Sequence, residues 1–164
     1  MDANKYRAIM QHQAGAVALI TTGDVGARTG LTATAVCSLT DDPPTLLVCV
    51  NRSASAHDLI CEKMTFGVNL LAQHQQELAG AFSGRTGLNG EDRFHVEGHE
   101  WTTLKTDAPV LVGALANLDC EVIEQQTFKT HTIFIGAVRE GSISETAAPL
   151  LYFRGDFWDV RPTS

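Results

Sequence analysis

The sequence predicts a mainly β fold: a barrel of short strands, closed on itself and carrying a few helices. The strand-like runs are short, rich in Val, Thr and Leu, and bounded by Gly, Asp or Pro. Few segments read as helices, and strands and helices do not alternate in the βαβ rhythm of a parallel sheet. Closure removes the two edges that such a sheet would otherwise expose. The 164 residues suit one domain, 1–164, undivided by any repeat, low-complexity tract or linker.

In chain order, residues 4–13 place Tyr6, Ile9 and Met10 at helical spacing. The runs "AVALITT" (16–22), "LTATAVCSL" (31–39), "TLLVCVN" (45–51) and "FGVNLL" (66–71) follow as strands. Between the last two, "SASAHDLICEK" predicts a helix with Ser55 as N-cap and Asp58 three positions on. A further helix covers 72–82. From Ser83 to Lys105 the chain holds Gly84, Gly87, Gly90 and Gly98 with little periodicity, which predicts a long ordered loop of the kind that is usually functional. Strand patterns return at 114–124, 130–140 and 149–153.

Composition narrows the function. Hydrophobic residues make up 44% and charged residues 19%, and no apolar stretch is long enough to span a bilayer. The start "MDANKYRAIMQHQ" lacks the blocks of a signal peptide, so the expected location is the cytoplasm. A formal net charge of −7 is the wrong sign for a nucleic-acid partner, although a local site can still take a small anion. Cys37, Cys49, Cys61 and Cys120 show no metal-site spacing and are expected to be buried reduced thiols. His95 and His99, four apart beside Glu97 and Glu100, are poor metal ligands because Gly98 and the loop break a helix there, so no metal is expected. His12, His57 and His74 are expected to be solvated, and Trp101 and Trp158 to be packing anchors.

Two segments carry site chemistry. In "NRSASAH" an apolar strand ends at Asn51 and a helix begins a few residues later. Helix-start N–H groups, Ser hydroxyls and an Arg fork are the parts of a phosphate site, while on pattern alone the simpler reading is a serine-capped helix with a surface Arg. "GLTATAVCSLTDDPP" builds a strand from Thr, Ala and Ser, low enough in bulk for a flat ligand to reach its backbone; an edge strand with small core-facing side chains reads equally well. Together they describe a site for a planar ring joined to a phosphate.

The stretch "GLTATAVCSLTDDPPTLLVCVNRSASAH" closely resembles the short-chain flavin reductases, the NAD(P)H-dependent partners of two-component aromatic monooxygenases such as hydroxyphenylacetate monooxygenase. The similarity extends to "FGVNLL", "AFSG…EDRF", "THTIFIGAV" and "PLLYFRGDFW". It implies an FMN-binding split β-barrel of Greek-key type with a few flanking helices, normally a homodimer with a site near the subunit interface. Carried over by motif, Thr32, Ala33, Thr34, Ala35 and Ser38 line the isoalloxazine and ribityl chain of FMN or FAD. Asn51, Arg52, Ser53 and Ser55 hold the phosphate end, and Phe82 and Arg93 flank the cofactor. His131 matches the element associated with NADH or NADPH, although Lys129 stands where the family has Gly.

The implied reaction is hydride transfer from the nicotinamide to flavin N5, in which the protein stacks the rings and His131 orients the dihydronicotinamide. "GRTGLNG" (84–90) has the wrong spacing for a dinucleotide fingerprint and follows a helix, so NAD(P)H is expected to bind as a substrate without a Rossmann domain. Reduced flavin then passes to a separate monooxygenase. Alternatives on the same fold are a flavin-mediated corrin cobalt reductase and a non-catalytic flavin- or haem-binding module.

Overall fold

The computed structural model describes residues 1–145, 147–158 and 160. Helix α1 (Ala3–Met10) opens the chain, with the Asp2 carboxylate accepting from the N–H groups of Asn4 and Lys5. It is shorter than the predicted 4–13, because His12 and Gln13 fold back onto the carbonyls of Ile9 and Met10. No residue of α1 is buried, so Tyr6, Ile9 and Met10 face outward.

The strands are β1 (Gly15–Ala16), β2 (Ala18–Thr22), β3 (Thr29–Ala33), β4 (Val36–Asp41), β5 (Pro44–Asn51) and β6 (Thr65–Leu70), followed by β7 (Trp101–Thr103), β8 (Pro109–Leu111), β9 (Ala116–Phe128), β10 (His131–Ile143), β11 (Leu151–Phe153) and β12 (Asp156–Trp158). Helix α2 (Ser55–Lys63) joins β5 to β6, and α3 (Gln76–Phe82) follows a 3₁₀ turn over Gln73–Gln75. Seven strands form one antiparallel sheet in the order β3-β2-β6-β9-β10-β5-β4.

Two expectations change here. The predicted strand 31–39 is two strands, broken at Thr34–Ala35, and its halves form opposite edges of the sheet: β3 pairs with β2, and β4 with β5. Among the described residues the sheet is not closed by a β3–β4 ladder, so the barrel is split rather than sealed. One bent stretch of chain connects both edges, and at the bend the Ala35 carbonyl, accepting from Cys49 N–H at 3.1 Å, keeps a ladder-like bond. The predicted strand 16–22 likewise breaks at Val17, whose N–H donates to Leu150 and whose carbonyl accepts from Leu71. That hand-over sends β1 into a small separate sheet with β11 and β12.

The segment predicted as loop, 83–105, contains a 3₁₀ helix (Gly90–His95) and β7, which pairs with β8. Strand β2 and the Val17 that precedes it lie between two cores: Ala18 and Ile20 pack with Val48, Phe66 and Phe134, whereas Val17 and Leu19 pack with Phe82, Phe94 and Leu111. Period-two alternation on a strand buried on both faces produces this division. The first core lies inside the rolled sheet under α2, and the second supports α3 and residues 83–101.

The cysteines are free, but only Cys120 is buried; Cys37 is exposed, and Cys49 and Cys61 are half-buried. Burial, with the Asp119 charge adding to it, pushes the Cys120 thiol up to about 12. The other three lie on outward or partly open positions of β4, β5 and α2, where neighbouring apolar letters in sequence face the other side. Among the described residues no helix is long and apolar enough to cross a membrane.

Candidate active site

A cavity of about 390 Å³ opens between β3, the start of α2 and the segment after α3. Gly30, Leu31 and Thr32 form one wall, Ser53, Ala54 and Ser55 another, and Phe82, Ser83, Asn89 and Arg93 the third. A second hollow of about 200 Å³ shares Thr32 and Ser83 with it and extends to Thr34, Arg85, Tyr152 and Phe157. The shared walls make the two adjoining parts of one groove. Thr34 also borders a third, larger hollow of about 670 Å³ that includes Ser38.

At the α2 end, Ala54 occupies the N-cap in extended conformation and supplies no side-chain acceptor. Ser55 is therefore the first helical residue rather than the predicted N-cap. Its hydroxyl instead meets the Thr29 hydroxyl at 2.7 Å, which bolts the helix start to β3. Without a side-chain cap, N–H groups of the first turn remain for an external acceptor, and the macrodipole favours an anion there.

Arg93 is 9% exposed, donating from Nη1 to the Gly30 carbonyl at 2.6 Å and from Nε to the Leu88 carbonyl at 3.0 Å. Burial draws its pKa below the ordinary value. The same guanidinium thus ties β3 to the 83–95 segment and brings a positive charge to the cavity wall. A half-buried ion pair, Arg28 with Glu91, clamps that segment as well; the Arg28 guanidinium lies 4.5 Å from the Phe94 ring centre and holds the Glu91 carboxyl below its usual range.

Phe82 is almost fully buried, edge-on to Phe94 and tilted on Trp101, and forms the cavity floor. Gly30 lies directly over it: a Cβ there would come within 2.8 Å of the Phe82 ring and 2.7 Å of the Ile20 carbonyl oxygen. The Thr32 hydroxyl donates to the Ala79 carbonyl at 2.7 Å, so this residue offers the groove mainly backbone and methyl.

The structure gathers Thr32, Ser53, Ser55, Phe82 and Arg93 around the cavity, with Ala33 and Thr34 along the adjoining hollow. Ala35 lies at the bend between β3 and β4, and Ser38 borders the third hollow. Asn51, Arg52 and His131 sit beside the cavity rather than in its wall. Asn51 Oδ1 accepts from both the N–H and the hydroxyl of Ser53 at 3.0 Å, which shapes the loop before α2. His131 is exposed and directly opposite Asn51 in the β5–β10 ladder. Arg52 donates from Nη1 to the Lys129 carbonyl at 3.3 Å, and its N–H to the Thr130 carbonyl.

Lys129 has a φ of 50° in the two-residue turn joining β9 to β10. This left-handed conformation explains a Gly preference at the position, and the lysine adopts it nonetheless.

Several residues escaped sequence reasoning. His57 is buried, not solvated, with both ring nitrogens engaged. Arg85 enters the groove from the segment after α3, where it meets Tyr152 and Phe157 of the C-terminal "YFRGDFW" stretch that the resemblance covers. An Arg set between two glycines, Gly84 and Gly87, was the available sequence signal for Arg85. Trp101 packs in the second core as expected, whereas Trp158 is about half exposed and donates from Nε1 to the Phe153 carbonyl across the β11–β12 hairpin.

The donor set fits a phosphate, and the low-bulk β3 wall fits a flat ring approaching its backbone. Residues 10–161 match the flavin reductase-like domain. The chain belongs to the flavin reductase family. It is similar to an NADH-dependent FMN reductase (RutF) of Acinetobacter baylyi, at 41% identity over 157 residues, covering 96% of this chain and 81% of that protein. It is also similar to the 4-hydroxyphenylacetate 3-monooxygenase reductase component of Salmonella typhimurium, 37% identical and covering 96% and 91%. Among solved structures, the flavin reductase PheA2 superposes with a TM-score of 0.88 at 31% identity, covering 99% of this chain and all of that one. BorF, the flavin reductase component of a bacterial two-component tryptophan halogenase, does so with a TM-score of 0.88 at 29% identity, covering 99% and 100%. The family and the split-barrel fold expected from the sequence are therefore those of this flavin reductase, an oxidoreductase that draws on a reduced pyridine nucleotide.

Proposed function

We propose that this flavin reductase transfers hydride from NADH to FMN and delivers the reduced flavin to a separate oxygenase. The observation that carries the reading is the groove: Ser53, Ser55, a helix start and the buried Arg93 at one end, and the low-bulk Thr32–Thr34 strand leading from it. Relatives named as NADH-dependent FMN reductases support the choice of nucleotide and flavin, and relatives named as monooxygenase and halogenase components support delivery to a second protein.

Bound flavin supplies a two-electron acceptor for hydride. Ser53, Ser55 and the first N–H groups of α2 hold its phosphate, and Arg93 compensates the charge. Thr32, Ala33, Thr34, Ala35 and Ser38 would border the ring and ribityl chain, with Phe82 flanking the cofactor. The break at Thr34–Ala35 leaves backbone N–H groups outside the sheet ladder, where they can face the electron-rich edge of the ring. Asn51 shapes the Ser53 loop, Arg52 steadies the Lys129–Thr130 turn, and His131 orients the nicotinamide with no proton transfer required.

The protein acts as a single domain over residues 1–164 and as a homodimer. The large hollow beside Thr34 is bordered by half-buried Leu70, Leu118 and Val138, which supports a second copy over that face. Four free cysteines accord with a cytoplasmic setting.

Mixing purified protein with FMN or FAD and following NADH and NADPH absorbance tests the reading. Rapid NADH oxidation stimulated by free FMN is the expected result. Tight flavin retention without turnover would instead indicate a binding module, and selective anaerobic reduction of corrin-bound cobalt would reassign the acceptor.

A further inference from the structure

We infer that His57 is a positioning residue, tying the phosphate end of the groove to the strand that carries His131. The inference rests on the proposed flavin and nicotinamide assignment. His57 lies in the first turn of α2, is 8% exposed, and leans on the Phe134 ring with ring centres 5.7 Å apart. Its Nε2 is 2.9 Å from the Thr132 hydroxyl on β10, and Thr132 in turn lies 3.0 Å from the Thr127 hydroxyl on β9. Nδ1 is 2.7 Å from the Asp58 carboxylate.

One donor–acceptor order satisfies all of these partners. With Nδ1–H donated to Asp58, Nε2 accepts the Thr132 hydroxyl proton, and the freed lone pairs on Thr132 accept from Thr127. A Thr-His-Asp line of this kind looks like a nucleophilic triad, but Thr132 is 1% exposed inside the sheet and borders none of the groove's cavities. Its product is geometry rather than chemistry.

The first turn of α2 is thereby fastened on two sides. Ser55 joins it to Thr29 on β3, one residue before the groove wall begins at Gly30, and His57 joins it to Thr132 on β10, next to His131. Ser53 and Ser55, which face the phosphate, and His131, which faces the nicotinamide, are thus carried by elements that cannot shift independently. Losing the His57–Thr132 bond leaves the serines on a helix that can slide against β10.

Thr132→Val removes the hydroxyl and keeps the branched shape. FMN affinity is read by quenching of flavin fluorescence, the apparent NADH KM and kcat by steady-state turnover, and folding by thermal melting. The expected result is that Thr132→Val raises both the FMN Kd and the NADH KM at least threefold, and that Thr132→Ser, which restores the hydroxyl, returns both to wild-type values. His57→Gln replaces the test if Thr132→Val does not fold, with the same joint rise expected. A folded variant in which both constants stay within twofold of wild type, whatever its melting temperature, overturns the inference. Wild-type protein that neither binds FMN nor oxidises NADH overturns the underlying assignment instead, so the two failures are distinct.

Discussion

At the end of the groove built by β3, the start of α2 and residues 88–93, the polar side chains are bonded to the protein, whereas at the end reached by Thr34 and Arg85 they face outward. Arg93 grips two carbonyls, Ser55 meets Thr29, Thr32 donates to Ala79, and Arg28 pairs with Glu91. Thr34 and Arg85 are exposed, and among the described residues Arg85 makes only a loose cation–π approach to Phe157 at 5.8 Å. A single chain therefore preorganises the first end, and the second is shaped by what occupies it. Under the proposed function this division suits hydride transfer, because a rigid anchor would fix the flavin while an open face would admit and release the nicotinamide.

Arg93→Ala should break the contrast most severely. It strands the buried carbonyl of Gly30 and the half-buried one of Leu88 and removes the local charge, so stability should fall by roughly 2–4 kcal/mol, and FMN affinity should fall with it. Thermal melts and flavin titration check both. Next in size, Ser53→Ala combined with Ser55→Ala should weaken FMN binding by roughly tenfold, while Arg52→Ala, whose guanidinium serves the Lys129 turn, should leave it within about twofold. Equal losses in the two variants would return Arg52 to the phosphate.

Glu91→Gln tests the clamp through pH. The carboxylate is stabilised in the folded state by Arg28, so its contribution is present above the ordinary value of 4.5 and is lost as pH falls through its lowered folded value. The variant should melt lower than wild type by about 1 kcal/mol near neutrality, and the gap should close in melts run at progressively acid pH. A gap independent of pH would mean that packing on Phe94, and not charge, holds the segment.

At the open end, Arg85→Ala should alter FMN or NADH constants by roughly threefold with stability unchanged within about 0.5 kcal/mol; a large stability loss would erase the distinction between the two ends. The smallest effect is expected of Lys129→Gly. Relief of the left-handed lysine, partly offset by the entropy of glycine, should raise stability by about 0.5 kcal/mol, measurable as a small upward shift in melting temperature.

Local chemistry made much of this protein legible in its sequence. Strand runs, the α2 helix and the low-bulk Thr32–Ser38 stretch depend on periodicity and side-chain size, which act over a few residues. The start of α2 is likewise local: the helix begins at Ser55, inside the stretch that the pattern predicts as helical, with Ala54 and not Ser55 as its N-cap. The tertiary structure alone decided the break at Thr34–Ala35, since a strand that must serve both edges of one rolled sheet bends where its two partners diverge. It also decided that Ser55 bonds to Thr29 rather than capping α2, that Arg52 turns to the Lys129 carbonyl, and that His57 is buried against Thr132. Each of these depends on a partner 26 to 77 positions away in the chain. Short-range pattern carries no information about which distant hydroxyl or carbonyl will stand within hydrogen-bond reach; sheet order and register supply it.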